Sequence, residues 1–287
     1  ANETGTPPLE ELPEMSNRIW VNGQAAEQLP VEDRGLQYGD GLFETISCID
    51  GQPRWLARHL QRLRLGCERL QLRFDRFAAL GAEIAAVAAG AERCLVKLIL
   101  TRGVARRRGY GPLGDETPTR IVARYDWPAS APAAQQGFRV GISSVTLGMN
   151  PLLAGLKHLN RLEQVLAQSE MRGQDLDEAL MLSSAGQVIC GTMSNVFFAG
   201  EAELFTPSLH DCGVAGVMRS LVCEAAAACG LRVVVRPVER AELSAAREAF
   251  LTNVRWGLQS ISVLEGRSLP SATHAQSLRR TLDAPPH

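Results

Sequence analysis

Only two lysines, Lys97 and Lys157, stand among 30 basic residues, and the other 28 are arginine. Arginine meets any general need for a surface cation and keeps its proton near neutral pH, whereas a desolvated lysine can lose one. Lys157 lies in GLKHLNRLEQ, residues 155–164, within an apolar run that includes Leu152, Leu153, Ala154, Leu156 and Leu159. That setting suits an amine that works as a free base, in imine formation with a carbonyl or in proton transfer. It suits equally a stem buried along a helix edge with its ammonium in water. Two further features could work with such an amine. The GVAG run at 213–216 leads into a helical stretch from Val217, and a helix start offers free N–H groups and a positive dipole end to a phosphate. Arg62, in a run with Arg58, Arg64 and Arg69, would add a forked cation. An ordinary loop-to-helix entry and a solvated basic face explain these two features without a ligand. Taken together, the three would hold a phosphorylated aldehyde.

The positioning elements are read from patterning. Residues 18–21 followed by Asn22-Gly23 predict two edge strands joined by a hairpin. The stretch 33–45 carries glycines at 35, 39 and 41 and leads into a strand over 42–49, closed by Asp50-Gly51. Leucines at 56, 60, 63 and 70 predict an amphipathic helix over 55–72, and Phe77, Leu80, Ile84 and Val87 a second, ending at Gly90. Residues 93–101 and 119–125 read as strands, with Lys97 on the solvent face of the first. Between them, 106–111 is a basic, glycine-rich loop. WPASAPAAQQ, residues 127–136, is the best linker. After it come a strand over 138–145, the Lys157 segment with a helix from His158 to about Arg172, and strands over 178–183, 187–193, 195–198 and 203–206. A helix over 217–229 stopped by Gly230 precedes strands over 231–238 and 248–253. No internal repeat is visible, and the organisation is α+β.

At 287 residues with 45% hydrophobic content, the chain suits one large domain or two ordinary ones. A net charge of -1 argues against a nucleic-acid or acidic-membrane partner. No apolar run approaches the roughly 20 residues of a membrane span. Residues 1–16 read as a leader or disordered tail. Seven cysteines without paired CxxC spacing suggest reduced thiols in the cytoplasm, and five scattered histidines give no metal-ligand pattern.

The set DRGLQYGDGLFET (33–45), RHLQRL (58–63), NPLLAGLKHLNRLEQVL (150–166), DEALMLSSAGQV (177–188), SNVFF (194–198) and CGVAGVMR (212–219) resembles the fold-type IV pyridoxal-phosphate enzymes. AGLKHLNRLEQ resembles their aminodeoxychorismate lyase branch in particular. The resemblance implies a small N-terminal α/β domain over 17–126, a linker over 127–136 and a larger pseudo-barrel domain over 137–287. It implies pyridoxal 5'-phosphate in the cleft between them and a homodimer that completes the site. By position, Lys157 matches the Schiff-base lysine and Arg62 the phosphate-binding arginine. Val217 and Met218 match backbone N–H donors to the phosphate, Val254 a further backbone contact, and Asn195 a residue of the cofactor pocket. Five residues before Asn195, where the family places a glutamate facing the pyridine nitrogen, this chain has Cys190. A thiol there would serve that nitrogen poorly, although a thiolate would pair with it. Lys97, Arg108 and Tyr110 are the candidates for a substrate carboxylate.

The implied reaction is conversion of 4-amino-4-deoxychorismate to 4-aminobenzoate and pyruvate. The alternatives are amino transfer on branched-chain or D-amino acids, and a non-catalytic relative that binds cofactor or metabolite.

Overall fold

The computed structural model describes residues 18–26, 28–128, 137–270 and 272–283. The expected leader at 1–16, and 129–136 of the expected linker, lie outside the described residues. β1 (Ile19–Val21) and β2 (Gln24–Ala25) pair across Asn22 and Gly23, whose φ values of 53° and 86° are the left-handed ones that a two-residue hairpin turn requires. A short helix, α1 (Arg34–Tyr38), fills part of the glycine-rich stretch; Asp33 caps it by accepting from the Gly35 N–H at 2.8 Å. Then follow β3 (Gly41–Ile49), β4 (Gln52–Pro53), α2 (Leu56–Arg69), α3 (Phe77–Ala88), β5 (Arg93–Thr101) and β6 (Thr119–Asp126). These six strands form one antiparallel sheet in the order β2-β1-β6-β5-β3-β4. Alternation along the strands sends Leu42, Ile46, Val96 and Leu98 into a core with Leu63, Leu80 and Ile84 of the two helices. The other face of β3 and β5 carries Phe43, Thr45, Leu95 and Lys97, with Thr45 opposite Lys97.

The second sheet comprises β7 (Phe138–Ile142), β8 (Glu178–Leu182), β9 (Val188–Gly191), β10 (Asn195–Ala199), β11 (Glu203–Pro207), β12 (Arg232–Arg236), β13 (Glu248–Asn253), β14 (Gly257–Leu264) and β15 (Arg267–Ser268). Its order is β12-β11-β10-β13-β14-β7-β8-β9, with β15 beside β14. β9 is the last strand of that path and β10 the third, yet a tight turn joins them, closed by the Gly191 N–H to the Ser194 carbonyl at 2.8 Å. The sheet must curl for this turn to close, which makes it a half-barrel. Val140, Leu180, Val196, Leu251 and Ile261 fill its inner core. On the outer face Phe197 and Phe250 stack at 5.1 Å beneath α5 (Val217–Ala225) and α6 (Thr273–Asp283).

Several expectations are corrected. The helix expected from His158 starts later, as α4 (Leu162–Glu170), because residues 157–159 run extended against β3: the Phe43 N–H donates to the Lys157 carbonyl at 2.9 Å and the Leu159 N–H to the Gly41 carbonyl at 3.0 Å. The helix expected over 217–229 tightens to a 3-10 turn at Ala226–Cys229 before Gly230. β14 and α6 were not foreseen.

Candidate active site

Residues 155–159 are held from both sides. The Gly155 N–H donates to the Gly213 carbonyl at 2.9 Å and its own carbonyl accepts from Ala215 at 3.0 Å, while 157 and 159 bond to β3. A segment with these partners cannot coil into the helix that follows, so Lys157 is presented between the first sheet and the loop that enters α5. Its Nζ lies 4.2 Å from the centroid of the Phe43 ring. Burial lowers the Lys157 pKa to about 7, helped by the charges of Arg62, Arg161 and Lys97 and opposed by Glu44. The amine is therefore substantially a free base near neutrality.

It opens into a cavity of about 640 Å³. Four arginines, Arg62, Arg161, Arg172 and Arg255, line this space beside Lys157, and among the described residues no Asp or Glu does. In a chain of nearly balanced charge, such a lining marks a site for polyanionic ligands. Phe43, Leu95, Val165, Met193 and Val214 supply apolar wall.

At one wall, α5 begins at Gly216, with no side chain capping it and with Val217 and Met218 buried behind. A helix's first N–H groups have no partner within it. Glycine is required at 216, since a Cβ there would lie 2.1 Å from Asn195 Oδ1. Asn195 in turn donates to the Val214 carbonyl at 2.9 Å, which fixes the shape of this entry. Arg62 reaches the same loop, donating through Nη1 to the Ala215 carbonyl at 2.9 Å.

Arg62 is aimed by two residues that sequence reasoning passed over. Glu44, 1% exposed, accepts from Arg62 Nε at 2.8 Å and from Arg62 Nη2. It also bonds His59 Nδ1 at 2.7 Å. Despite the desolvation that opposes ionisation, the Arg62 charge and these hydrogen bonds hold the Glu44 pKa near about 2. Burial lowers the pKa of His59, which therefore stays neutral and donates Nδ1–H to the carboxylate. The available signal was an acidic residue on the helix-facing side of a strand, opposite His59 and Arg62 on one helix face.

Cys190 lines the cavity and is buried. Desolvation, with Glu178 and Cys212 adding to it, pushes the Cys190 pKa up to about 12, which favours the neutral thiol of the two states the sequence left open. Glu178 is buried below the turn after β9 and accepts from the N–H groups of Thr192 and Met193 and from Ser194 Oγ, at 3.1, 3.3 and 3.0 Å. These bonds present residues 192–195 to the cavity. At pH 8 Cys190 would be almost wholly protonated, and it is buried, so iodoacetamide should leave it unmodified in the folded protein. Peptide mapping after labelling checks this; rapid modification of Cys190 without unfolding would contradict the neutral assignment.

Asn195, Val217, Met218 and Val254 all line the cavity with Lys157, Arg62 and Cys190. The three substrate-binding candidates do not. Lys97 is half-buried rather than solvent-facing, with its Nζ 5.7 Å from the Phe43 ring centroid. Arg108 and Tyr110 lie on an exposed loop. Arg34 pins that loop elsewhere by donating to the Gly109 and Tyr110 carbonyls at 3.0 and 2.6 Å, and Tyr110 packs edge-on against Tyr38.

A half-barrel beside a smaller antiparallel sheet, with a depressed lysine between them, is the arrangement of one enzyme class. Residues 41–264 match the Amino-transferase class IV family, and the chain belongs to it. Among its relatives, a Vibrio harveyi protein named aminodeoxychorismate lyase is 36% identical over 250 residues, covering 85% of this chain and 90% of that one. The crystal structure of 4-amino-4-deoxychorismate lyase from Pseudomonas aeruginosa is 43% identical, covers 92% of this chain and 97% of its own, and superposes with a TM-score of 0.88. A putative branched-chain-amino-acid aminotransferase of Methanocaldococcus jannaschii is 29% identical over 87% of this chain and 88% of its own.

Proposed function

We propose that this protein is a pyridoxal-phosphate lyase that converts 4-amino-4-deoxychorismate to 4-aminobenzoate and pyruvate. The observation that carries the reading is the Lys157 amine, poised as a free base in a cavity lined by cations and no carboxylate. The residues present fit the cofactor. Val217 and Met218 N–H groups and the Arg62 guanidinium would hold its phosphate, with the Val254 backbone as a further contact and Asn195 shaping the loop. When bound, pyridoxal phosphate supplies an aldehyde that captures amines and a ring that stabilises charge on the adjoining carbon.

Lys157 Nζ takes the proton from the carbon that bears the substrate amine and returns it to the departing enolpyruvyl group, which leaves as pyruvate. The electron pair of the C–H bond becomes the new ring double bond, and the pair of the bond between the ring and the enolpyruvyl oxygen leaves with that oxygen, so the ring becomes aromatic without external oxidant. The Phe43 ring packs on the amine, and Leu95 and Val214 add apolar wall to the cavity. The neutral Cys190 thiol offers no negative charge to the cofactor ring. That suits an elimination whose electrons leave through the substrate better than a transfer that must store them in the cofactor.

The two sheets support a division into domains over 17–126 and 137–287. A homodimer is supported by Leu162, Val165 and Leu166, apolar and more than half exposed on α4. Among the described residues no helix is long and apolar enough to cross a membrane. The seven cysteines are all unpaired, which supports a cytoplasmic setting.

Incubating cofactor-loaded protein with 4-amino-4-deoxychorismate should release 4-aminobenzoate and pyruvate in equal amounts. Conversion of the cofactor to its amine form by branched-chain or D-amino acids, without 4-aminobenzoate, would replace the reading with an aminotransferase.

A further inference from the structure

The lyase reading gives the site a substrate with two carboxylates but assigns no group to either. Of the cations lining the cavity, Arg62 is committed to Glu44 and the α5 loop, and Lys157 to chemistry. Arg161 has no acidic partner among the described residues. Its Nε donates to the His158 carbonyl at 2.9 Å and its Nη2 to His158 Nε2 at 2.6 Å. His158 can accept because burial and the Arg161 charge push its pKa down to about 4. Glu163, two residues on, accepts instead from the Gly148 N–H at 2.7 Å. Two nitrogens of the guanidinium are thus clamped by one neighbouring residue, and among the described residues Nη1 has no partner.

We propose that Arg161 is the specificity-determining residue that binds a carboxylate of the substrate, held in position by His158; the proposal rests on the lyase reading. Three observations favour it over the other cations. Arg172 is exposed, and among the described residues Arg255 is bonded through its backbone N–H, to Asn253 Oδ1, and not through its side chain. Arg161 alone is both unpaired and held, so little order is lost when it binds. It also lies within electrostatic reach of Lys157 and Cys190. Finally, a fork of donors matches a carboxylate, and an unpaired guanidinium withdrawn from water without a ligand would be costly to keep.

In cofactor-loaded protein, Arg161→Gln should raise KM for 4-amino-4-deoxychorismate about 10- to 100-fold, with kcat changed less than about threefold, as expected when a charge-assisted pair made equally in ground and transition states is removed. Arg161→Lys should recover part of the loss. Benzoate, as a competitor, should weaken by a similar factor in Arg161→Gln, and benzamide should not. The visible absorbance of the bound cofactor and its pH titration should match the parent's. A shifted titration with KM unchanged would mean that Arg161 serves the cofactor, which overturns the proposal. If the parent makes no 4-aminobenzoate yet benzoate still weakens in Arg161→Gln, the lyase reading falls and the carboxylate site stands. If the parent turns over and both KM and benzoate affinity in Arg161→Gln stay within about threefold, the site falls and the lyase reading stands.

Discussion

Lys157→Ala should lower turnover of 4-amino-4-deoxychorismate by about a thousandfold or more, because in the proposed mechanism one amine both carries the cofactor and moves the proton. The fold supports no substitute: Lys97 is the only other lysine in the chain and does not line the cavity. Small amines such as methylamine should restore part of the activity, since the space vacated beside Phe43 is a lysine's length of apolar wall. Stability should move the other way. The folded Lys157 pKa of about 7 lies below the ordinary 10.5, so the unfolded chain binds the extra proton more readily. Stability is therefore penalised below about 7 and recovers as pH rises from 7 to 10.5. Lys157→Met, which keeps the stem and removes the charge, should raise the cofactor-free Tm at pH 6 and lose that advantage by pH 10.5. In the parent, capture of pyridoxal phosphate should rise with pH across about 7. A Lys157→Ala protein that is folded, loaded and fully active would refute the assignment.

Arg62→Ala is the second change with a large expected effect, and it acts on stability as well as on the cofactor. Removing the guanidinium leaves Glu44, 1% exposed, with His59 as its remaining side-chain partner. Stranding a buried carboxylate in this way typically costs about 3–5 kcal/mol, and on the proposed reading the cofactor phosphate would lose its charged clamp as well. Glu44→Gln in the same chain removes the stranded charge, so the double variant should melt above Arg62→Ala alone while still binding pyridoxal phosphate weakly. The ion pair also sets an acid dependence. The Glu44 pKa falls from 4.5 to about 2 on folding, so its stabilisation is complete above 4.5 and is lost as pH falls from 4.5 towards 2. Thermal melts between pH 6 and 3 should show the parent losing stability in that range and Glu44→Gln losing less of it.

The residues most legible in the sequence were those whose type is informative by itself. Lys157 stood out because arginine fills nearly every other cationic position, and the strand over 93–101 because its Val, Ile and Leu content leaves little choice. The α5 entry was legible from its glycines, one of which the fold requires for its close approach to Asn195. What stayed hidden depends on distant partners. The start of α4 is set by bonds from β3 to Lys157 and Leu159, and no local propensity encodes those. Glu44 reads as one more strand residue until α2 brings His59 and Arg62 against it. β14 was missed because GLQSISVL mixes Gln and Ser into a strand that is nevertheless largely buried. The loop at 106–111 reads as a basic binding surface; in the fold Arg34 holds the Gly109 and Tyr110 carbonyls, and Arg108 and Tyr110 do not line the cavity.

The scarcity that singled out Lys157 also makes its role directly measurable. Pyridoxal-phosphate-loaded protein reduced with borohydride, digested and mapped by mass spectrometry offers only two lysine side chains for a stable cofactor adduct. The adduct is expected on Lys157 in a stoichiometry near one per chain. An adduct on Lys97, or none in a folded and loaded preparation, would contradict the account of this site.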